Sequence, residues 1–149
     1  MPQKTFTKTN VNYNEYFIHE WTYHLLKNLS KKEETNINIH VPKIINYDPR
    51  TKTLTMQKIY GDNLSNIYGE EIEDVPIKLI KIIQKFLAIL NEYLIEYIDI
   101  TGYNFMLDKG KNLWIIDFEH AKCKSSSDII DPFLSEFIDG QMSWNPDFK

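Results

Sequence analysis

Asp99, Asn104 and Asp117 are the residues of this chain whose types and intervals suit them to act together on a substrate. Asp99 precedes Asn104 by five positions in Asp99-Ile-Thr-Gly-Tyr-Asn104, and Asp117 follows thirteen positions later in Ile115-Ile-Asp-Phe-Glu119. A carboxylate that accepts a hydrogen bond from an attacking hydroxyl orients it and takes its proton, a role worth ~10²–10⁴ in rate. Asp99 is the candidate for that base. Magnesium prefers oxygen ligands and usually bridges one or two protein groups to substrate phosphates. The amide oxygen of Asn104 and the carboxylate of Asp117 suit that task. Either half alone is common, since D-x-x-x-x-N also describes an Asx-rich loop and Ile-Ile-Asp-Phe an ordinary strand end. Their order and spacing together favour a catalytic reading, with a hairpin returning Asp117 beside Asn104.

Composition narrows the setting. A 149-residue chain buries about 70% of its unfolded surface, enough for one core, so a single domain over 1–149 is expected. A net charge of −4 argues against a nucleic-acid partner bound through a general basic surface. The single Cys123 excludes an internal disulfide and fits a reducing compartment. His19, His24, His40 and His120 show no zinc-site spacing, and there is no Cys-x-x-Cys. No secretory signal opens the chain and no apolar run approaches ~18 residues, so a cytoplasmic protein without a membrane partner is expected.

The elements that must position these groups can be read from periodicity. Weak alternation around Phe6 suggests a strand through Lys8, and Asn10, Asn12 and Asn14 mark a turn. Phe17, Trp21, Leu25 and Leu29 recur every four positions, predicting an amphipathic helix from Tyr13 to Leu29 with Glu20 beside its apolar stripe. A polar loop is expected from Ser30 to Asn38. Val41–Tyr47 and Thr53–Ile59 then read as a hairpin turning at Asp48-Pro-Arg-Thr-Lys52, broken by Gly61, with a helical turn over Leu64–Tyr68. Pro76 is expected in the first turn of a helix of about twenty residues, in which Ile80, Ile83, Leu87, Leu90 and Leu94 alternate steps of three and four. Phe105–Leu107 and Leu113–Ile116 predict two short strands, and Ile129–Ile138 a helix despite Pro132.

This order of elements resembles a reduced protein-kinase-like fold, an α+β architecture divided into a truncated N-lobe over 1–60 and a small helical C-lobe over 61–149. Val41-Pro-Lys-Ile-Ile-Asn-Tyr-Asp48 with Leu54-Thr-Met-Gln-Lys-Ile-Tyr-Gly-Asp-Asn-Leu64 is similar to the hairpin and hinge of the small atypical kinase of the tRNA threonylcarbamoyl-modification complex. Asp99-Ile-Thr-Gly-Tyr-Asn104 resembles its catalytic loop, which has Thr where most protein kinases have Lys. Small kinases of large DNA viruses are similar in size and composition, which would place the chain in a host cytoplasm. The resemblance implies ATP and Mg²⁺ as cofactors, Asp99 as base, and Asn104 and Asp117 as metal ligands. It further implies adenine contacts from the backbone of Gln57 and Ile59. Glu20 would be the helix glutamate, paired with a phosphate-gripping lysine for which Lys8 is the first candidate and Lys4 the second.

Departures from the family pattern shape the expectations. Seven residues precede Lys8 and none is Gly, so a Gly-rich phosphate loop is expected to be missing and ATP binding weak unless the tail, a partner or a second copy covers the site. Tyr97-Ile98 stands where a His-containing pair usually precedes the base, and Glu119 replaces the Gly of Asp-Phe-Gly. Ile-Asp-Phe-Glu also resembles choline and aminoglycoside kinases. The expected function is thus an ATP- and magnesium-dependent phosphotransferase, most simply a minimal Ser/Thr protein kinase with a protein or small-alcohol acceptor. A pseudokinase binding module and a choline-type kinase are the alternatives.

Overall fold

A short strand, β1 (Thr5–Lys8), leads into helix α1 (Tyr13–Ser30) in this computed structural model, which describes residues 4–30 and 38–148. Asn12 caps α1 by accepting the Glu15 N–H at 2.8 Å, satisfying one of the donors that a helix start leaves unpaired. The expected loop over Ser30–Asn38 lies mostly outside the described residues. Beyond it come β2 (Ile39–His40), β3 (Ile44–Asp48), β4 (Thr53–Gln57) and β5 (Gly61–Asn63). Two helices, α2 (Leu64–Tyr68) and α3 (Ile77–Glu92), precede β6 (Ile95–Glu96), β7 (Phe105–Asp108), β8 (Leu113–Ile115), β9 (Lys122–Cys123) and α4 (Pro132–Ile138). Pro132 is tolerated in the first turn of α4, where its missing N–H has no partner to lose, and Asp131 caps the Leu134 N–H at 3.1 Å.

The strands form three small sheets. The first is antiparallel in the order β1-β4-β3, so Lys8 stands opposite Leu54 on an edge strand. The second runs β2-β8-β7-β5, and its β7–β8 hairpin pairs Phe105 with Ile115. That register brings the end of the Asp99 loop beside the approach to Asp117. The third sheet pairs β6 with β9, tying the segment after Asp117 to the segment before Asp99. The expected α+β class is borne out.

One core joins these parts. Ile80, Ile83, Phe86, Leu87 and Leu90 of α3 pack with Ile18, Leu25, Leu26 and Leu29 of α1, with Phe105, Leu113 and Ile115 of the hairpin, and with Tyr97, Phe118 and Phe137. A smaller cluster of Val11, Leu54 and Met56 lies under the first sheet, where Tyr16 stacks on Tyr47 with ring centroids 4.4 Å apart.

Three local expectations need correction. The buried face of α1 is Glu15, Ile18, His19, Thr22, Leu25, Leu26 and Leu29, while Phe17 is exposed. The stripe is rotated because polar residues occupy its inward positions near the site. Helix α3 has 16 residues and begins after Pro76, which is its cap; Leu94 lies beyond its end at φ 68 and is exposed. Gly61 does not simply end a strand. It starts β5, which pairs Gly61 with Asp108.

Candidate active site

Lys8 is the meeting point of the site. Its Nζ lies 2.5 Å from Glu15 Oε2 and 3.0 Å from Asp117 Oδ1, so one ammonium bridges the edge strand, the first helix and the segment after β8. Lys4 takes no part in this bridge, and its carbonyl accepts from Lys58 N–H at 3.4 Å. Burial alone would lower the Lys8 amine, but the Glu15 hydrogen bond and the charges of Asp117 and Glu15 outweigh it and hold the group above its ordinary value. Lys8 is therefore charged at neutral pH. Glu15 is 3% exposed, and its burial pushes the carboxyl up despite Lys8.

The helix glutamate expected from sequence is thus misplaced by five residues. Glu20 sits on a different face of α1, partly exposed, 2.9 Å from His24 one turn on. Five residues turn a helix through about 500°, so Glu15 and Glu20 point some 140° apart. Two sequence signals could have selected Glu15: it lies at capping-box spacing from Asn12, and three and four residues before Ile18 and His19 on the true buried face.

Asp99 and Asn104 come together as the loop spacing implied. Asn104 Nδ2 donates to the Asp99 carbonyl at 2.9 Å, and its own carbonyl accepts from Ile116 N–H at 3.1 Å, next to Asp117. With its nitrogen committed, Asn104 Oδ1 has no hydrogen-bond donor among the described residues, although the residue is only 7% exposed. Asp117 Oδ1 accepts from Lys8 and from the Glu119 N–H at 2.9 Å, while Oδ2 is unclaimed among the described residues. An uncommitted amide oxygen and carboxylate oxygen suit a hard divalent cation. Two protein ligands fit magnesium, which fills its remaining positions with phosphate oxygens and water. Among the described residues no cluster of three or more His, Cys, Asp or Glu forms a metal site.

Asp99 is half-buried, and this desolvation, with the Asp117 charge adding to it, raises its carboxyl above the usual range while Asn104 opposes the rise. A carboxylate so raised holds a proton more tightly than an ordinary one. Gly102, inside the loop, permits the approach of α2: a Cβ there would lie 2.3 Å from Ser65 Oγ.

Tyr97, where the family pattern has His, is fully buried and donates its hydroxyl to the Asp117 carbonyl at 2.6 Å. It also packs edge-on against Phe118, with centroids 6.0 Å apart. His19 was not singled out from sequence. Its Nε2 is 2.8 Å from the Pro42 carbonyl, and its ring lies 4.9 Å from Phe118. Since a carbonyl can only accept, Nε2 carries the proton. Burial lowers this imidazole to about 4, so the neutral ring fastens α1 to the link between β2 and β3 and to Phe118.

A cleft of about 310 Å³ opens between the first two sheets, lined by Phe6, Pro42, Met56, Gln57, Lys58, Ile59, Gly61, Met106 and Ile116. Gln57 and Ile59 are brought to it together. Gln57 N–H is spent on the Lys43 carbonyl at 2.8 Å, whereas the Ile59 N–H and C=O have no partner among the described residues. The lining is largely apolar and two main-chain groups are free, as a flat heteroaromatic ring requires.

Comparison with known proteins agrees with this fold. The family model of the RIO domain matches residues 2–130, and RIO proteins are an atypical protein kinase family. The fold and site define a minimal protein-kinase-like protein. This chain belongs to the RIO domain family. No curated protein matches the chain. Among solved structures it is similar to the PK-1 kinase of Cydia pomonella granulovirus, at 17% identity and a TM-score of 0.60, over 85% of this chain and 46% of that one. It is more distantly similar to the Rv3197–erythromycin complex from Mycobacterium tuberculosis, at 19% identity and a TM-score of 0.45, over 74% of this chain and 27% of that one. The chain therefore spans less than half the length of either. The likeness to the viral kinase is one of fold, and members of the RIO kinase family generally bind ATP and Mg²⁺.

Proposed function

We propose that this protein is an ATP- and magnesium-dependent phosphotransferase, most simply a minimal Ser/Thr protein kinase. The observation that carries the reading is the Lys8 bridge to Glu15 and Asp117, which orders a cation for phosphate oxygens beside two uncommitted oxygen ligands. The adenine ring would lie in the apolar cleft against the free main-chain groups of Ile59. Lys8 would hold phosphate oxygens while Glu15 keeps its amine in place. Asn104 and Asp117 would hold magnesium, which when bound offsets charge on the phosphates. Asp99 would orient the acceptor hydroxyl and take its proton as the new oxygen–phosphorus bond forms and the bond from the γ-phosphorus to the β,γ-bridging oxygen of ATP breaks, with ADP as the leaving group.

One observation favours a second reading, a nucleotide-binding module without turnover: the Lys8 ammonium rests directly on Asp117, the would-be metal ligand. The acceptor class is tested by offering labelled Mg-ATP with a generic protein substrate and, separately, with choline and an aminoglycoside. Label on protein Ser or Thr supports the kinase reading, label on the small alcohols replaces it with the choline-type alternative, and nucleotide binding without transfer favours the module.

A further inference from the structure

Asp99 sits within two overlapping three-residue turns: Ile100 N–H donates to the Ile98 carbonyl at 2.8 Å and Thr101 N–H to the Asp99 carbonyl at 3.1 Å. Each turn is closed by one backbone bond, to which Asn104 Nδ2 adds its bond to the Asp99 carbonyl. The two carbonyls flanking Asp99 are both taken by one residue from the C-terminal segment. Asn145 Nδ2 donates to the Ile98 carbonyl at 2.7 Å, and Asn145 N–H donates to the Ile100 carbonyl at 2.8 Å.

Asn145 is itself well fixed. It is 3% exposed, and its neighbour Trp144, 4% exposed, anchors the segment in the main core. Asn145 Oδ1 accepts from Asp147 N–H at 3.1 Å, so the amide is oriented from both ends. The Phe148 ring lies 5.0 Å from that of His120, placing the same segment against the stretch that follows Asp117.

We propose that Asn145 is a positioning residue for Asp99, clamping the backbone on either side of it and so fixing the direction in which its carboxylate meets an acceptor hydroxyl. The catalytic consequence rests on Asp99 being the base. Small misplacements of a reacting group cost up to about 10²-fold in rate, so a clamp at this point acts on turnover and leaves nucleotide affinity alone. Neither the Asp99 motif nor the lysine bridge requires such a residue.

The test compares wild-type chain with Asn145→Asp, which keeps an acceptor for Asp147 N–H but removes the donor to Ile98, and with Asn145→Ala, which removes the side-chain donor without adding charge. Amide hydrogen exchange, Mg-ATP affinity and γ-phosphate transfer are measured on each. We expect exchange over residues 97–104 to rise at least about tenfold with little change elsewhere, affinity to stay within about twofold, and the transfer rate to fall roughly 10–100-fold. Unchanged exchange over 97–104 in both variants overturns the proposal, as does a uniform rise along the chain or a loss of affinity that matches the loss of rate. If the wild-type chain transfers no phosphate, the kinase reading fails by itself, and the exchange arm alone decides whether Asn145 clamps the loop.

Discussion

Lys8 Nζ and Asp117 Oδ1 lie 3.0 Å apart although 109 residues separate them in sequence. The contact joins an edge strand of the first sheet to the segment leaving the second, and Glu15 completes it from the first turns of α1. Removing the lysine leaves the buried Glu15 without a counter-charge. Lys8→Ala is therefore expected to cost about 1–3 kcal/mol in urea denaturation, and Glu20→Ala less than ~0.5 kcal/mol, since the Glu20–His24 pair lies at the surface. Equal effects of the two substitutions would remove the distinction between the glutamates.

His19 gives a pH signature. Its folded pKa of about 4 lies below the ordinary 6.5, so its contribution to stability is complete above pH 6.5 and is lost as pH falls through 4. The full loss amounts to about 3 kcal/mol. His19→Gln, which retains a donor toward Pro42, should flatten the denaturation midpoint between pH 6.5 and 4 relative to wild type. Raised carboxyls at Glu15 and Asp99 act in the opposite sense, their contributions being present at acid pH and lost as pH rises through their folded values, and they are common to both proteins. A variant with the same slope as wild type would deny His19 this role.

Gly61 is held by close backbone approach. A Cβ there would lie 2.1 Å from the Leu107 carbonyl oxygen and 2.7 Å from Asp108 Cα, both main-chain atoms that cannot swing aside. Gly61→Ala should cost about 1–3 kcal/mol in thermal or urea unfolding by forcing β5 off β7. Wild-type stability in that variant would show that the strand pair is looser than this geometry requires.

The cleft is tested by filling it. Met106→Trp places a large ring in a space of about 310 Å³. Adenine-nucleotide affinity should fall at least about tenfold, or ~1.4 kcal/mol, with little change in melting temperature. Unchanged affinity measured with a fluorescent ATP analogue would move the nucleotide elsewhere.

Much of the site was legible because it depends on local spacing. The interval from Asp99 to Asn104 specifies a loop, and the strands Phe105–Asp108 and Leu113–Ile115 return the chain to Asp117 whatever else the fold does. Helix α3 was legible for the same reason, since Ile80, Ile83, Leu87 and Leu90 record its buried face in apolar residues alone. Helix α1 misled because its inward face carries Glu15, His19 and Thr22, which an apolar stripe does not register, and Phe17 filled the pattern from outside. β5 was missed because Gly61-Asp-Asn63 has no apolar residue and becomes a strand only by pairing with β7. Asn145 was beyond reach of sequence reading, because its bonds to Ile98 and Ile100 cross about 45 residues and leave no periodic trace.

The most direct measurement is transfer of labelled γ-phosphate from Mg-ATP by the wild-type chain, to itself or to a generic protein, beside Asp99→Asn and Asp117→Ala. Transfer by wild type with a fall of at least about 10²-fold in each variant is expected if Asp99 is the base and Asp117 a metal ligand. Transfer that is no greater in wild type than in the two variants would contradict a phosphotransferase built on these residues.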